Sequence, residues 1–173
     1  MITIICATHR PKNQTQWVVQ HYRQILEELG ERVAVLYMSD LPRDFPYADS
    51  FGSRTEATDT LIREKLLHAG RLVIVSPEYN GSYPGIFKAF LDGVDPGIWK
   101  GKRVALVGVS AGRAGNLRGM DHLSDVLHYL RMEVFSFKVP ISRLHTLMDG
   151  EGRLDHAETE KVLRQQAREF LGF

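Results

Sequence analysis

The sequence predicts an α/β fold, a doubly wound three-layer sandwich in which a parallel sheet carries helices on both faces. Two observations lead there. Short continuous runs of apolar, often β-branched residues alternate along the whole chain with longer segments whose apolar residues fall at three- and four-residue spacing. Runs that are apolar at every position suit strands buried on both faces, and the 3.6-residue period suits helices with one buried stripe. Strands alternating with helices become parallel neighbours through right-handed crossovers, and such units pack as a three-layer sandwich. At 173 residues the chain is sized for a single domain, 1–173, without repeats, low-complexity tracts or linkers.

Residues 2–7 form the first strand-like run. Val18, Tyr22, Ile25, Leu26 and Leu29 then mark a helix over about 13–29, stopped by Gly30, with Trp17 and Tyr22 expected in the core. Residues 33–37 read as a second strand, and 40–54, with Pro42, Pro46, Asp49, Ser50 and Gly52, as a long loop. Ala57, Leu61, Ile62, Leu66 and Ala69 give a second helix, closed by Gly70. Residues 71–76 form the third strand, and the helix beyond it has Pro84 near its first turn, where a missing N–H is harmless. Residues 103–109 are the fourth strand, Leu117 to Leu130 a helix, 134–137 the fifth strand, and about 155–171 a charged terminal helix.

Composition narrows function. With 22 Lys+Arg against 21 Asp+Glu the net charge is +1, which removes the electrostatic argument for nucleic acid or an anionic membrane as the main partner. A single cysteine, Cys6, cannot form an internal disulfide and reads as a small core residue, in keeping with a reducing compartment. Met1 to Ala7 lack the basic segment of a secretion signal, and no run approaches the ~18 apolar residues of a membrane span. The expectation is a small, soluble, cytoplasmic protein. The seven histidines are scattered without HxH or HExxH spacing, so no metal site is expected; His9 is notable only for its loop.

In doubly wound sheets, ligands bind beyond the carboxyl ends of the strands. Three loops lie there. The first, 7–15, leaves a buried strand and enters a helix, so unpaired main-chain N–H groups converge with the hydroxyls of Thr8 and Thr15, the amide of Asn13 and the charges of Arg10 and Lys12. That set suits a phosphate dianion, although it is neither a Walker loop nor GxGxxG; alternatively, Asn13 or Thr15 simply caps the helix. The second, 76–85, carries a carboxylate, two tyrosines, Asn80 and Gly81, and suits a planar heterocycle with donors and acceptors along one edge. Its plainer reading is an irregular connection with tyrosines packed on the core or on a partner subunit.

The third loop, Gly108-Val109-Ser110-Ala111-Gly112, matches the G-x-S-x-G nucleophile elbow, with Asp149 and His156 following in hydrolase order. Too few strands precede it, no HGGG segment exists, and His156 opens a charged helix. A glycine-rich turn at a pocket rim is the competing reading.

Pro77-Glu78-Tyr79-Asn80-Gly81-Ser82-Tyr83-Pro84-Gly85, with Lys88 and Asp92, resembles the P-E-Y-N-x-S-x-P-G…K…D signature of the NADPH-dependent FMN reductase family. Those flavodoxin-like proteins include quinone, azo-compound and chromate reductases. The first loop is similar to that family's phosphate loop, and the order of segments agrees over nearly the whole chain. The resemblance implies a five-stranded parallel sheet of order 2-1-3-4-5. It implies FMN, with its phosphate on Thr8, Arg10, Asn13, Gln14 and Thr15 and its ring against Pro77, Glu78, Tyr79, Asn80 and Gly81, with Ser110 on the far rim. NADPH or NADH would donate hydride to flavin N5, which then reduces a small acceptor such as a quinone, and no side chain need be catalytic. An FMN-binding electron carrier without NAD(P)H turnover is the other reading, although its usual strong acidity is missing. A homodimer or homotetramer is implied, with Tyr79, Tyr83 and Phe87 as candidate contacts. Arg113 and Arg118 could meet the 2′-phosphate of NADPH or remain solvated. Ala7, Lys12, Asn13 and Gly93 depart from the family pattern.

Overall fold

Side chains alternate along the central strands and divide the core in two. In the computed structural model, which describes residues 1–49, 51 and 54–173, β1 (Ile2–Cys6) pairs in parallel with β2 (Val33–Tyr37) on one side and β3 (Arg71–Pro77) on the other. β3 pairs in turn with β4 (Arg103–Val109). Ile5, Ala7, Leu72, Ile74, Val104 and Leu106 face one way. Ile4, Cys6, Val73, Val75, Ala105 and Val107 face the other. The period of two is the pleat itself, and both faces are apolar because both are covered.

On the first face lie α2 (Phe45–Ala48), α3 (Glu56–Ile62), α4 (Gly85–Gly93), α5 (Pro96–Trp99) and α6 (Leu117–Tyr129). α1 (Thr15–Glu28) and α7 (Ala157–Gly172) cover the second. Tyr22 is fully buried there, whereas Trp17, expected in the core, is only partly buried, its indole lying where a side chain on Gly152 would fall. Phe87, a candidate subunit contact, is 0% exposed. Helical spacing along α4 sends it inward with Phe90 and Leu91, leaving half-buried Tyr83 edge-on to it at 6.5 Å.

The expected loop 40–54 is not wholly irregular. A 3-10 turn, Met38–Asp40, precedes it, and α2 forms because Phe45 buries itself 6.0 Å from the Phe90 ring. Asp49 then accepts hydrogen bonds from the Thr55 N–H and from the Thr55 and Thr58 hydroxyls, which fastens this segment to the start of α3 and holds its carboxyl below the usual range. Ser50 and Gly52 of that loop lie outside the described residues. The second helix is also less regular than its sequence period: beyond Ile62 it widens into a π turn, Arg63–Leu67. Lys102 caps that end, donating to the Leu66 carbonyl at 2.8 Å and the Ala69 carbonyl at 2.5 Å, with burial drawing its pKa down.

The fifth strand is where sequence and structure differ. Instead of one strand over 134–137 there are two short ones, β5 (Glu133–Val134) and β6 (Val139–Ile141), each parallel to β4. The strand order is thus β2-β1-β3-β4-β5, with β6 also on β4. Between them the Lys138 N–H turns back to the Ser136 carbonyl, and the ladder opens. Gln166 of α7, 0% exposed, fills the opening: its amide donates to the Leu106 carbonyl at 3.0 Å and the Phe137 carbonyl at 2.6 Å, and its oxygen accepts from the Tyr22 hydroxyl. Buried carbonyls need partners, and here one side chain serves two. No helix among the described residues is long and apolar enough to cross a membrane.

Candidate functional site

The carboxyl ends of β1, β3 and β4 open into one cleft of about 430 Å³, within the ~300–1,000 Å³ usual for small-molecule sites. Residues 10–15 form one wall, Pro77 to Tyr79 a second, and Val109 to Ala111 a third, closed by Leu144. All three loops singled out in the sequence therefore meet.

The first wall combines a stiff frame with free donors. The Asn13 amide donates to the Arg10 carbonyl at 2.8 Å while its oxygen accepts from the Gln16 N–H at 3.0 Å, so Asn13 shapes the loop and caps α1. The N–H groups of Lys12, Gln14 and Thr15 have no partner among the described residues. They sit at the start of a 14-residue helix, where the dipole favours negative charge. Arg10 and Lys12 are exposed beside them, and Lys12 holds a left-handed backbone (φ 53°).

Thr8 lies behind this wall. It is 1% exposed, and its hydroxyl accepts from the Arg10 N–H at 3.1 Å and stands 2.7 Å from the Tyr79 hydroxyl. Cys6, below it, is sealed in the core, and burial pushes its thiol up to about 12.

In the second wall, the Glu78 N–H extends the sheet by bonding the Val109 carbonyl. Its carboxylate faces Arg118 at 3.8 Å. Tyr79 and Ser82 bond each other in both directions around a tight turn in which Asn80 (φ 52°) and Gly81 (φ 78°) are both left-handed. Asn-Gly is the pair that such a primed turn demands. A side chain on Gly81 would meet only Arg118, at 3.8 Å, so within the protein it is φ that calls for glycine there. Asn80 borders a second, more open hollow of about 490 Å³ with His9, Arg10, Pro11, Glu78 and Tyr79. Gly81 borders neither.

In the third wall the serine is already engaged. The Ser110 hydroxyl donates to the Gly112 carbonyl at 2.8 Å and accepts from the Gly115 N–H at 2.9 Å. His156 caps α7 through Thr159, and Asp149 is held by Arg153. The nucleophile, base and acid that a hydrolase would need each have other partners, so no triad is assembled.

Residues 1–145 match the family described as NADPH-dependent FMN reductase. The chain belongs to that family. Over 150 residues it is 28% identical to a 2-hydroxy-1,4-benzoquinone reductase of a Burkholderia species, covering 80% of this chain and 82% of that protein. Among solved structures, the flavoenzyme NAD(P)H:(acceptor) oxidoreductase of Paracoccus denitrificans superposes with a TM-score of 0.75 at 22% identity, covering 99% of this chain and 94% of the other. Oxidised flavodoxin 2 of Bacillus cereus gives 0.65 at 17% identity, covering 99% and 97%. Those two likenesses show a flavodoxin-like fold.

The cleft fits the cofactor of an FMN reductase. Unpartnered N–H groups at the α1 terminus and two cations suit a phosphate, and Pro77 to Tyr79 with Val109 to Ala111 complete the lining of a cleft large enough to take a ring as well. Of the residues expected at this site, Arg10, Asn13, Gln14, Thr15, Pro77, Glu78, Tyr79 and Ser110 line the cleft together. Sequence reasoning missed Leu144, which arrives from a 3-10 turn, Leu144–Thr146, after β6; no motif marks it. Arg113 is exposed, and Arg118, 73% exposed at its side chain, is committed loosely to Glu78. Among the described residues no cluster could hold a metal ion.

Proposed function

We propose that the chain binds FMN in the 430 Å³ cleft and passes reducing equivalents from NADPH or NADH to a small acceptor such as a quinone. The observation that carries this reading is the row of unpartnered main-chain donors at Lys12, Gln14 and Thr15, lining one cleft with Arg10 and with Pro77 to Tyr79. When bound, FMN supplies hydride acceptance and delivery, chemistry that no side chain of the cleft can perform.

The chain's own contribution is position and charge. Arg10 and Lys12, with the three N–H groups, neutralise the phosphate, and Asn13 keeps their geometry fixed from both sides. The 77–79 main chain supplies the ring wall, with Glu78 restrained by its bond to Val109 and by Arg118. Asn80 stands at the mouth, next to the open hollow that the second substrate would enter. A quinone acceptor is supported by the quinone-reducing relative. Exposed Tyr47, Tyr129 and Leu117 offer apolar surface for assembly into a homodimer or homotetramer, which light scattering would measure.

The test is direct. Protein incubated with FMN and desalted should retain an oxidised-flavin spectrum and oxidise NAD(P)H in the presence of a benzoquinone. A protein that emerges colourless, with NAD(P)H consumption no faster than without it, would contradict the proposal. A yellow protein that bleaches with dithionite but ignores NAD(P)H would leave only the electron-carrier function.

A further inference from the structure

The resemblance puts Thr8 where the family's first phosphate-binding hydroxyl stands, but here that hydroxyl is used inside the protein. A hydroxyl offers one proton and two lone pairs. One lone pair of Thr8 takes the Arg10 N–H at 3.1 Å, and the Tyr79 hydroxyl, 2.7 Å away, engages a second position. The side chain is 1% exposed and does not border the cleft. Tyr79 is meanwhile anchored by its reciprocal main-chain bonds to Ser82 and by its neighbour's bond to β4. The contact bridges 71 positions of sequence and joins the loop after β1 to the loop after β3.

We propose that the Thr8–Tyr79 hydroxyl pair is a latch between the phosphate loop and the ring loop, which makes Tyr79 a positioning residue for the phosphate of FMN. Tyr79 acts through Thr8 and the Arg10 main chain. Inside its own loop, the Arg10 region is otherwise held by Asn13 alone. The latched loop presents cations and free N–H groups to a phosphate and contributes little to a ring, so the latch sets preference for the phosphorylated flavin. The inference rests on the FMN reading of the cleft.

The experiment titrates FMN and riboflavin, by quenching of flavin fluorescence, into the wild type and into Tyr79→Phe, Thr8→Val, Thr8→Ser and the Tyr79→Phe/Thr8→Val double variant. Thermal unfolding of each ligand-free protein confirms that it folds. Loss of one neutral hydrogen bond that orders the loop should weaken FMN about fivefold in Tyr79→Phe while riboflavin stays within about twofold. Thr8→Ser should keep the wild-type preference, and the double variant should bind FMN no more weakly than Thr8→Val, because the two hydroxyls form one interaction. An unchanged FMN-to-riboflavin preference in Tyr79→Phe overturns the latch, as does an equal loss of both flavins. A preference lost in Thr8→Val but kept in Tyr79→Phe also overturns it, because Thr8 then orders the loop through the Arg10 N–H without Tyr79. Wild-type protein that binds neither flavin overturns the cleft reading itself, and the latch with it.

Discussion

The first and third loops begin alike and end differently. Each leaves a buried strand, β1 or β4, and enters a helix, α1 or α6, and each carries a hydroxyl, an asparagine and an arginine. The third loop has its serine, its asparagine and two of its carbonyls engaged within the protein. Ser110 ties Gly112 to Gly115, Arg143 N–H holds the Gly112 carbonyl, the Ser142 hydroxyl holds that of Arg113, and the Asn116 amide reaches across to Ser76. Both loops leave main-chain N–H groups without partners among the described residues, Ala111 to Ala114 in the third and Lys12 to Thr15 in the first, but only the first sets them beside two cations, Arg10 and Lys12, in the lining of the cleft. A strand-to-helix loop is therefore a phosphate site when its left-over donors line the cleft together with cations, whatever its sequence motif suggests. Substitutions in the third loop should cost stability, and those in the first should cost binding.

The largest expected effect is at Gly108. A side chain there would stand 2.2 Å from the Gly115 carbonyl and 2.8 Å from the Met120 methyl, and the first of these is main chain that cannot turn aside. Gly108→Ala should lower unfolding free energy by about 3 kcal/mol in a urea melt, the upper end for overpacking. A loss below about half a kcal/mol, typical of a tolerant surface position, would show that this loop is not packed in the way described. Arg10→Ala is the opposite case. Because the side chain is exposed, stability should hold within ~0.5 kcal/mol. FMN affinity should nevertheless fall about 10- to 100-fold, the worth of a charge-assisted phosphate bond. Equal flavin titrations for both proteins would break the comparison.

Ser110→Ala comes next. It strands the buried Gly115 N–H and leaves the Gly112 carbonyl to the Arg143 N–H alone, so a stability loss of about 1–2 kcal/mol is expected. No ester-cleaving activity should be present for it to remove, and hydrolysis of a chromogenic ester by wild-type protein that vanishes in this variant would reinstate the nucleophile elbow.

These contrasts explain what was legible in the sequence. Strands β1 to β4 could be read because each is apolar on both faces, and the meeting of three loops follows from topology once the strands are parallel. The split of the fifth strand was not legible. Phe135 and Phe137 look like strand residues, and what interrupts them is a turn at 136–138 compensated by Gln166, nearly thirty positions later. Thr8 and Tyr79 could each be assigned to the site from sequence, but their mutual bond could not, since nothing local in either loop encodes a partner 71 residues away. Gly81 was legible as special, but the reason its turn supplies, a left-handed φ, was not read from the sequence. Local patterns report elements; they do not report which donors the tertiary fold leaves unused.

The smallest expected effect separates strain from charge. Lys12 lines the cleft in a left-handed conformation, φ 53°, whereas the corresponding left-handed positions of the third loop are Gly115 and Asn116, which bear it easily. Removing its β-carbon relieves ~1–2 kcal/mol of backbone strain. Glycine's extra chain entropy takes back ~0.5–1 kcal/mol. Lys12→Gly should therefore stabilise the protein by about 0.5 kcal/mol while weakening FMN about threefold through the lost cation, an exposed charge worth well under 1 kcal/mol. Arg131, also left-handed (φ 61°) but at the far end of α6, is the control: Arg131→Gly should give a similar gain in stability with FMN affinity unchanged. Opposite signs in the two assays at position 12, against a single sign at 131, would locate a strained residue kept for its charge. A stability loss in Lys12→Gly would mean that its left-handed backbone carries no net strain, and the same flavin affinity in both variants would mean that its charge is unused, leaving the difference from the third loop to Arg10 and the N–H groups.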